Sequence, residues 1–198
     1  MDESSDIVNT HQCPSCSAQI EDNATQQIMA HHSNEGGSTT LNILPLVQEE
    51  AYLTSNPSAR PARAFLTMCA EGDVGGAVEL LQNLSQDDDD DDEEPSMSPA
   101  DILQYQDPLT DNKSALHIAV VASQIEVIWL LLWLASAVPN GSFPQQAVNA
   151  AMSMGATRAI AEAGLDIRSL TDASGQTAGQ LAEQNGGMVA ELVRAGLL

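Results

Sequence analysis

The sequence predicts an all-α fold in which short helix–turn–helix units stack in a row, and the pattern is clearest over residues 107–134. Small and apolar residues at 118–122 form a slim first helix, and a break follows at 123–124. Apolar residues then recur three and four apart over 126–132, as on the buried face of a second helix. The composition is 43% hydrophobic but only 3% aromatic, which suits slim helices better than a β-sandwich or barrel.

This stretch resembles the ankyrin repeat, which combines a turn, a Thr-Pro-Leu-His box, an Ala-rich first helix, a glycine break and a Leu-rich second helix. Ser114 replaces the threonine, Ala115 the proline and Ser123 the glycine, and a serine hydroxyl still caps a helix. The resemblance implies a helical solenoid. It also implies that His117 ties one turn to the next, and we favour this role over that of a catalytic base.

The resemblance extends over roughly residues 62–198 and predicts an ankyrin-repeat domain at 61–198. Repeats are expected near 62–85, 105–137, 139–166 and 167–198, the third of them degenerate, with an acidic insertion at 86–99. Ser114 and Thr177 occupy equivalent positions and lie 63 residues apart. This separation is close to two repeats of about 33 residues, which supports counting 139–166 as a repeat.

Residues 1–60 are polar and rich in Ser, Asn, Gln and Thr, so we predict a disordered arm. Cys13 and Cys16 have the spacing with which two thiolates grip one zinc ion, and His31 and His32 follow. Adjacent histidines do not converge on one metal as histidines three to five residues apart on a helix do. We therefore predict no metal site, with a zinc finger at these four residues as the alternative.

The net charge is −22, from 28 acidic and six basic side chains. Without its one continuous acidic run the chain would still carry −14, so the negative field is general. Such a field disfavours direct binding to nucleic acid or anionic lipid and attracts basic proteins. The run is expected to be a solvated, solubilising loop, or else a site for divalent ions or a polybasic partner. It comprises Asp87, Asp88, Asp89, Asp90, Asp91, Asp92, Glu93 and Glu94.

Three features favour a soluble intracellular protein, either cytoplasmic or nuclear. Three cysteines do not form a disulfide framework of the secreted kind. The first ten residues carry acidic side chains where a signal peptide carries positive charge and an apolar core. The most apolar run, 125–138, is shorter than the roughly 20 residues needed to span a bilayer.

No sequence motif for catalysis is present, because the chain has no Walker loop, nucleophile elbow, HExxH motif or dinucleotide fingerprint. We therefore predict a protein that is not an enzyme and that needs no cofactor.

The resemblance does imply a binding surface, since ankyrin repeats bind proteins through their turn tips and the exposed side of their first helices. Two tryptophans on the second helix, Trp129 and Trp133, are either anchors for a partner or a shelf covered by the adjoining connections, and we favour the shelf. The residues expected to line two fingers are Asp107, Leu109, Asp111, Asn112 and Lys113 in one, and Thr171, Asp172, Ser174 and Gln176 in the other.

Three functions are compatible with these patterns. The first is a monomeric interaction module that holds one protein partner in the groove. The second is an acidic escort for a basic client such as a ribosomal protein or histone. The third is a regulatory region related to that of a protein arginine methyltransferase, because the 107–119 stretch is similar to the ankyrin-like region of some fungal enzymes of that class.

Overall fold

The computed structural model describes residues 3–21, 27–34, 37–85 and 97–198. The chain divides into two compact units, Met1–Pro57 and Ser58–Leu198. Within the described residues there are eleven α-helices and two two-stranded antiparallel sheets. None of the helices in this part of the chain has the length and apolar character required to cross a membrane.

The first unit contains regular secondary structure where we predicted a disordered arm, and that prediction is wrong. Its elements are α1 (Glu3–Thr10), β1 (Met29–Asn34), β2 (Gly37–Asn42) and α2 (Leu44–Ser55). The two strands pair antiparallel, with His31 opposite Thr40, and α1 packs against α2. The buried apolar residues of this unit include Ile28 next to β1 and Ala51 and Leu53 on α2.

The second unit begins with a helical pair and continues through a small sheet to three further pairs. Its elements are α3 (Arg60–Glu71), α4 (Val74–Leu84), α5 (Pro99–Gln104), β3 (Gln106–Asp107), β4 (Lys113–Ser114), α6 (Ala115–Val121), α7 (Ile125–Ala135), α8 (Gln145–Ser153), α9 (Ala159–Glu162), α10 (Ala178–Asn185) and α11 (Gly187–Arg194).

Three of these pairs are hairpins whose first helices lie side by side. α3 packs against α4, α6 against α7, and α10 against α11. α6 packs against both α3 and α10, so it is the middle helix of the row. Two of its five buried residues are alanines, Ala115 and Ala119, and their small side chains allow close approach of the neighbouring helices.

The segment 139–164 does not occupy a place in this row, which differs from the predicted third repeat. α6 contacts α10 directly, whereas α8 and α9 both pack against α7. The segment is therefore an insertion that covers the second helix of the central hairpin. Phe143 and Ala151, both buried, are among the residues that it contributes to the core.

A side-chain amide joins each hairpin to the one before it, and in both cases the acceptor lies in the last turn of a first helix. Gln124, at the break between α6 and α7, donates from Nε2 to the carbonyl oxygen of Ala70 at 2.9 Å. Asn185, at the end of α10, donates from Nδ2 to the carbonyl oxygen of Val120 at 3.2 Å. Each bond reaches a carbonyl in the last turn of the neighbouring first helix, where helix carbonyls are open to partners from outside the helix.

The prediction of an all-α repeat solenoid is wrong, because the described chain has mixed content with two antiparallel sheets. Helix-period signals dominated the sequence pattern, and the strands are short or polar. β3 and β4 have only two residues each, and β1 and β2 are built largely from Ser, Thr, His and Asn. Neither kind of strand produces a strong apolar alternation.

Candidate functional site

The first finger is the hairpin 106–114, in which β3 and β4 flank the 3₁₀ turn Pro108–Thr110. The carboxylate of Asp107 organises it, because it accepts hydrogen bonds from the Leu109 amide at 3.1 Å and the Thr110 hydroxyl at 3.0 Å. Asp111 and Asn112 both have left-handed backbone conformations, with φ of 56° and 54°. Asp and Asn tolerate this conformation better than most residues, so the tight loop is encoded locally.

The second finger is the turn 171–177, closed by a bridge between Thr171 and Thr177. Asp172 accepts hydrogen bonds from the amides of Ser174 at 2.9 Å and Gln176 at 3.0 Å. These donors, that of Gln176 first, lower the pKa of Asp172 below its usual value, so the carboxylate remains charged. Gly175 supplies the left-handed residue of this turn, with φ of 74°.

The two fingers lie side by side and are hydrogen-bonded to each other. The Ala173 amide donates to the carbonyl oxygen of Asp111 at 2.7 Å. The side chain of Gln106 donates to the carbonyl oxygens of Thr171 at 2.5 Å and Asn112 at 3.0 Å. The fingers thus form one connected edge of the second unit.

His117 is the buried link between the central hairpin and the second finger. Its Nε2 donates to the carbonyl oxygen of Gln176 at 3.0 Å, so the neutral ring carries its proton on Nε2. Nδ1 then accepts from the Ser114 hydroxyl at 2.7 Å and the Ser114 amide at 3.3 Å. Burial lowers the pKa of His117. These contacts fit the structural role implied by the ankyrin likeness, since both ring nitrogens are already occupied.

A groove of about 350 Å³ runs between α3 and α6 and ends at the first finger; we call it the finger groove. Its floor is apolar, with Val121 53% exposed and Ile118 half-buried. Leu109, at the tip of the finger, is 39% exposed. The lining residues are Arg63, Leu66, Thr67, Ala70, Asp107, Thr110, Lys113, Ile118, Val121 and Ala122.

Polar and charged groups are concentrated at the finger end of this groove. Arg63 on α3 donates from Nη1 to the buried Asp107 carboxylate at 2.5 Å and so holds the finger against the helix. Lys113 donates from Nζ to Asp111 at 2.9 Å. The groove therefore offers an apolar floor and a polar end that is fixed by ion pairs.

The structure brings most of the predicted finger residues together. Leu109, Asp111, Asn112 and Lys113 lie on the first finger, and Asp172, Ser174 and Gln176 lie on the second. Only Lys113 and Asp107 among the predicted residues also line the groove. All of the groove residues on α3 and α6 were missed, although the general expectation that first helices expose a binding side pointed to these two elements.

The two tryptophans lie on α7, and neither lines the finger groove. Trp133 is buried, donates from Nε1 to the carbonyl oxygen of Ala156 at 3.0 Å, and contacts Phe143 edge to face with ring centroids 5.4 Å apart. The guanidinium of Arg158 lies 5.1 Å from its ring centroid. The insertion thus covers Trp133, while Trp129 is half-buried and borders a separate apolar recess of about 280 Å³.

The remaining candidates lie away from these fingers in the sequence. Cys13 and Cys16 sit in a turn, whereas His31 and His32 are on β1. Over the ranges that the structure describes, no three His, Cys, Asp or Glu side chains come together as a metal site. The acidic run from Asp87 to Glu94 falls outside the described residues.

Comparison of the chain with family models, curated proteins and solved structures finds no match. The likeness to ankyrin repeats therefore depends only on the motif residues quoted above.

Proposed function

We propose that the second unit is a protein-interaction module whose finger groove binds a short segment of a partner protein. The observation that carries this proposal is the exposed apolar floor between α3 and α6. Val121 is more than half exposed although it follows directly on the buried Ala119 and Val120. An apolar side chain of a partner would remove this surface from water at a gain of about 25 cal/mol per Å².

The residues around this floor favour a pre-formed binding site over an incidental exposed apolar side chain. The finger is held by the Arg63–Asp107 ion pair and by the neighbouring finger, so the groove is formed before a partner arrives. A pre-organised site loses less conformational entropy on binding than a loop that must first become ordered. The Lys113 ammonium at the finger end also provides a donor for a carbonyl or carboxylate of the bound segment.

A library of displayed peptides provides a defined probe for this groove. Peptides selected on the full chain should be assayed against wild type, Val121→Glu and Met188→Glu. Met188 on α11 is a matched control because it is also an exposed apolar helix residue, 63% accessible, and lies outside the groove. We expect Val121→Glu to weaken binding at least about tenfold, corresponding to roughly 1.4 kcal/mol, and Met188→Glu to leave it unchanged.

The proposal fails if selected peptides bind Val121→Glu as tightly as wild type. If Val121→Glu does weaken peptide binding, the physiological partner can be sought by affinity capture from a lysate of the source organism, with wild type, Val121→Glu and Met188→Glu as baits. A protein that is retained by wild type and Met188→Glu but lost with Val121→Glu is the expected groove partner.

The charge distribution supports a second candidate, an acidic escort for a basic client. Four of the six basic side chains of the whole sequence, Arg63, Lys113, Arg158 and Arg168, have acceptors within the protein. In the described part of the second unit, five exposed glutamates form no salt bridge: Glu71, Glu79, Glu126, Glu183 and Glu191. A sixth, Glu162, interacts with the Arg158 guanidinium. The uncompensated charge is thus spread over several helices.

Ionic strength separates the two candidates. An escort held by charge should lose its client steeply as salt rises, and also when residues 87–94 are changed to Ser or Asn. A segment held in the apolar groove should tolerate both changes. Polylysine is a suitable probe for the charge-dependent mode because it contains no apolar side chain that fits the groove.

A further inference from the structure

A small hairpin at residues 11–20 presents two cysteines in one tight turn. Gln12 and Gln19 form an antiparallel bridge, and the Cys13 amide donates to the carbonyl oxygen of Ala18 at 2.8 Å. The Ser17 amide donates to the carbonyl oxygen of Cys13 at 2.8 Å, and Ser17 adopts a left-handed conformation with φ of 57°. The turn is therefore closed by specific backbone bonds that fix both cysteines.

The turn lowers the pKa of the Cys13 thiol below its ordinary value. The causes are hydrogen bonding from the backbone of Ser15 and of Cys16 and from the Cys16 side chain. The backbone bond from Ser15 is the largest of the effects that lower the pKa of Cys13 below its ordinary value. Amide donors favour the thiolate form, which is the nucleophilic form of cysteine.

Accessibility completes the arrangement. Cys13 is partly exposed and Cys16 is exposed, so a small molecule reaches both sulfurs. The two cysteines lie three positions apart, on either side of Pro14 and Ser15 within the same turn. A stabilised, accessible thiolate beside a second thiol is the arrangement found at redox-sensitive cysteine pairs.

Cys69 provides an internal contrast. It is fully buried on α3, and burial raises its pKa to about 12. A thiol in such surroundings is neutral at physiological pH and has no access to an oxidant. One chain therefore holds one unreactive cysteine and two with the properties of a reactive pair.

A metal site requires more ligands than this turn supplies. Structural zinc is bound by four ligands, and two thiolates provide only half of that set. No group of three suitable side chains is found anywhere in the described ranges. Disulfide formation needs only two thiols, and the closed turn carries both of them three positions apart.

We propose that Cys13 and Cys16 form a reversible dithiol–disulfide pair that reacts with low-molecular-weight disulfides such as glutathione disulfide. The Cys13 thiolate attacks one sulfur of glutathione disulfide, the disulfide bond breaks, and one glutathione leaves as its thiolate. Cys16 then loses its proton to solvent and attacks the Cys13 sulfur of the mixed disulfide, which releases the second glutathione thiolate. Two protein thiols are oxidised to one disulfide, and one glutathione disulfide is reduced to two glutathione molecules.

The test uses the reduced full chain, incubated with glutathione disulfide, quenched with an alkylating agent, and analysed by intact mass and peptide mapping. Wild type should give an internal Cys13–Cys16 disulfide, with Cys69 alkylated only after denaturation. Cys16→Ser should instead stop at a glutathione adduct on Cys13, because no thiol remains to displace the glutathione. Cys69→Ala should oxidise as wild type does. Circular dichroism of each variant checks that it folds.

Three results would overturn the proposal. One is a wild-type chain that ends with separate glutathione adducts on Cys13 and Cys16. Another is an alkylation rate for Cys13, measured against pH, that rises only around the ordinary pKa of a cysteine. The third is a chain whose two thiols are protected by stoichiometric zinc and become reactive only after chelation, since that would make the turn half of a metal site.

Discussion

The central hairpin, α6 and α7, and the last hairpin, α10 and α11, begin with the same local structures but differ in how much they bury. Both follow a finger organised by an aspartate, and both start with a capping box, Ser114 with His117 and Thr177 with Gln180. In α7, eight of the eleven residues are buried, whereas three of the eight residues of α11 are.

The neighbours of each helix explain this difference. α7 packs against α6, α4, α8 and α9, while α11 packs mainly against α10. A helix surrounded on several sides requires apolar residues on most of its circumference, and a helix with one neighbour needs only a stripe. Similar capping boxes thus specify where the first helix of each hairpin starts, while the number of neighbouring helices determines which residues the second helix can tolerate.

The largest expected effect comes from truncating one buried leucine in α7 and one in α11, which tests how far the additional neighbours of α7 stabilise its packing. Leu131→Ala, at a residue with 0% exposure, should cost about 3–5 kcal/mol of unfolding free energy. Leu192→Ala, at a residue with 8% exposure in the last helix, should cost about 2 kcal/mol because the site relaxes more readily. Urea unfolding followed by tryptophan fluorescence measures both, since the two tryptophans of the chain lie on α7. Equal losses would mean that the neighbours of α7 contribute little to its packing.

The next prediction replaces, in each capping box, the residue three positions after the N-cap, which is His117 in the central box and Gln180 in the last one. His117→Ala leaves the buried Ser114 hydroxyl and the Gln176 carbonyl without their partner, at a cost of roughly 2–3 kcal/mol. Gln180→Ala removes only the hydrogen bond that the Thr177 amide donates to the exposed Gln180 side chain, at a cost of about 1 kcal/mol. The same unfolding assay provides the measurement. A Gln180→Ala variant that is as unstable as His117→Ala would contradict the linking role of His117.

How much of this could be read from the sequence depends on the range of the interaction. The cap at Ser114, the break at Ser123 and the finger turns are set by residues close together in the sequence, and the sequence predicted them. The separation of 63 residues between Ser114 and Thr177 was interpreted as two repeats, but it contains one step of the row plus an insertion. A sequence distance carries no information on whether the intervening chain lies within the row or over it.

The exposed floor of the finger groove was missed for a related reason. Turn chemistry located the fingers, but the exposure of Val121 depends on how α6 packs against α3 and α10. An apolar residue on a helix is usually assigned to the core, so Val121 had no local feature that marked it as exposed. Likewise, β1 and β2 lack apolar alternation, and the first unit was assigned to a disordered arm.

The pH dependence of stability should distinguish the two boxes, because only the central one contains a titrating residue. The folded state lowers the pKa of His117 by burial, with Asp172 opposing this effect and Lys113 adding to it. The unfolded chain then binds the proton more readily, so stability rises with pH. This contribution is fully present above the ordinary value of 6.5 and is lost as pH falls below it.

Unfolding free energies at pH 7.5 and pH 5.5 provide the check. The wild-type chain should lose stability between these values, and His117→Gln should lose clearly less because its side chain does not titrate. Gln180→Glu is a useful control, since it places a carboxylate in the last box that stays ionised across this range. A wild-type profile parallel to that of His117→Gln would show that His117 does not change its protonation on unfolding.

The smallest expected effects concern a left-handed residue near the junction of two paired helices. This residue is Ser123 in the central hairpin and Gly187, the first residue of α11, in the last hairpin. Ser123 has a left-handed φ of 57°, and its amide and that of Gln124 close the end of α6 on the carbonyls of Val120 and Ala119. Ser123→Gly should stabilise the protein by about 0.5 kcal/mol, because relief of the left-handed strain exceeds the added backbone entropy of glycine. Gly187 has φ of 61° in open space, so Gly187→Ala should cost about 1 kcal/mol through backbone strain alone. Opposite signs in the thermal midpoints of these two variants would show that both positions require a left-handed backbone, and that only Ser123 is a suboptimal residue for it. Destabilisation by Ser123→Gly would instead mean that the serine side chain contributes more than its backbone conformation costs.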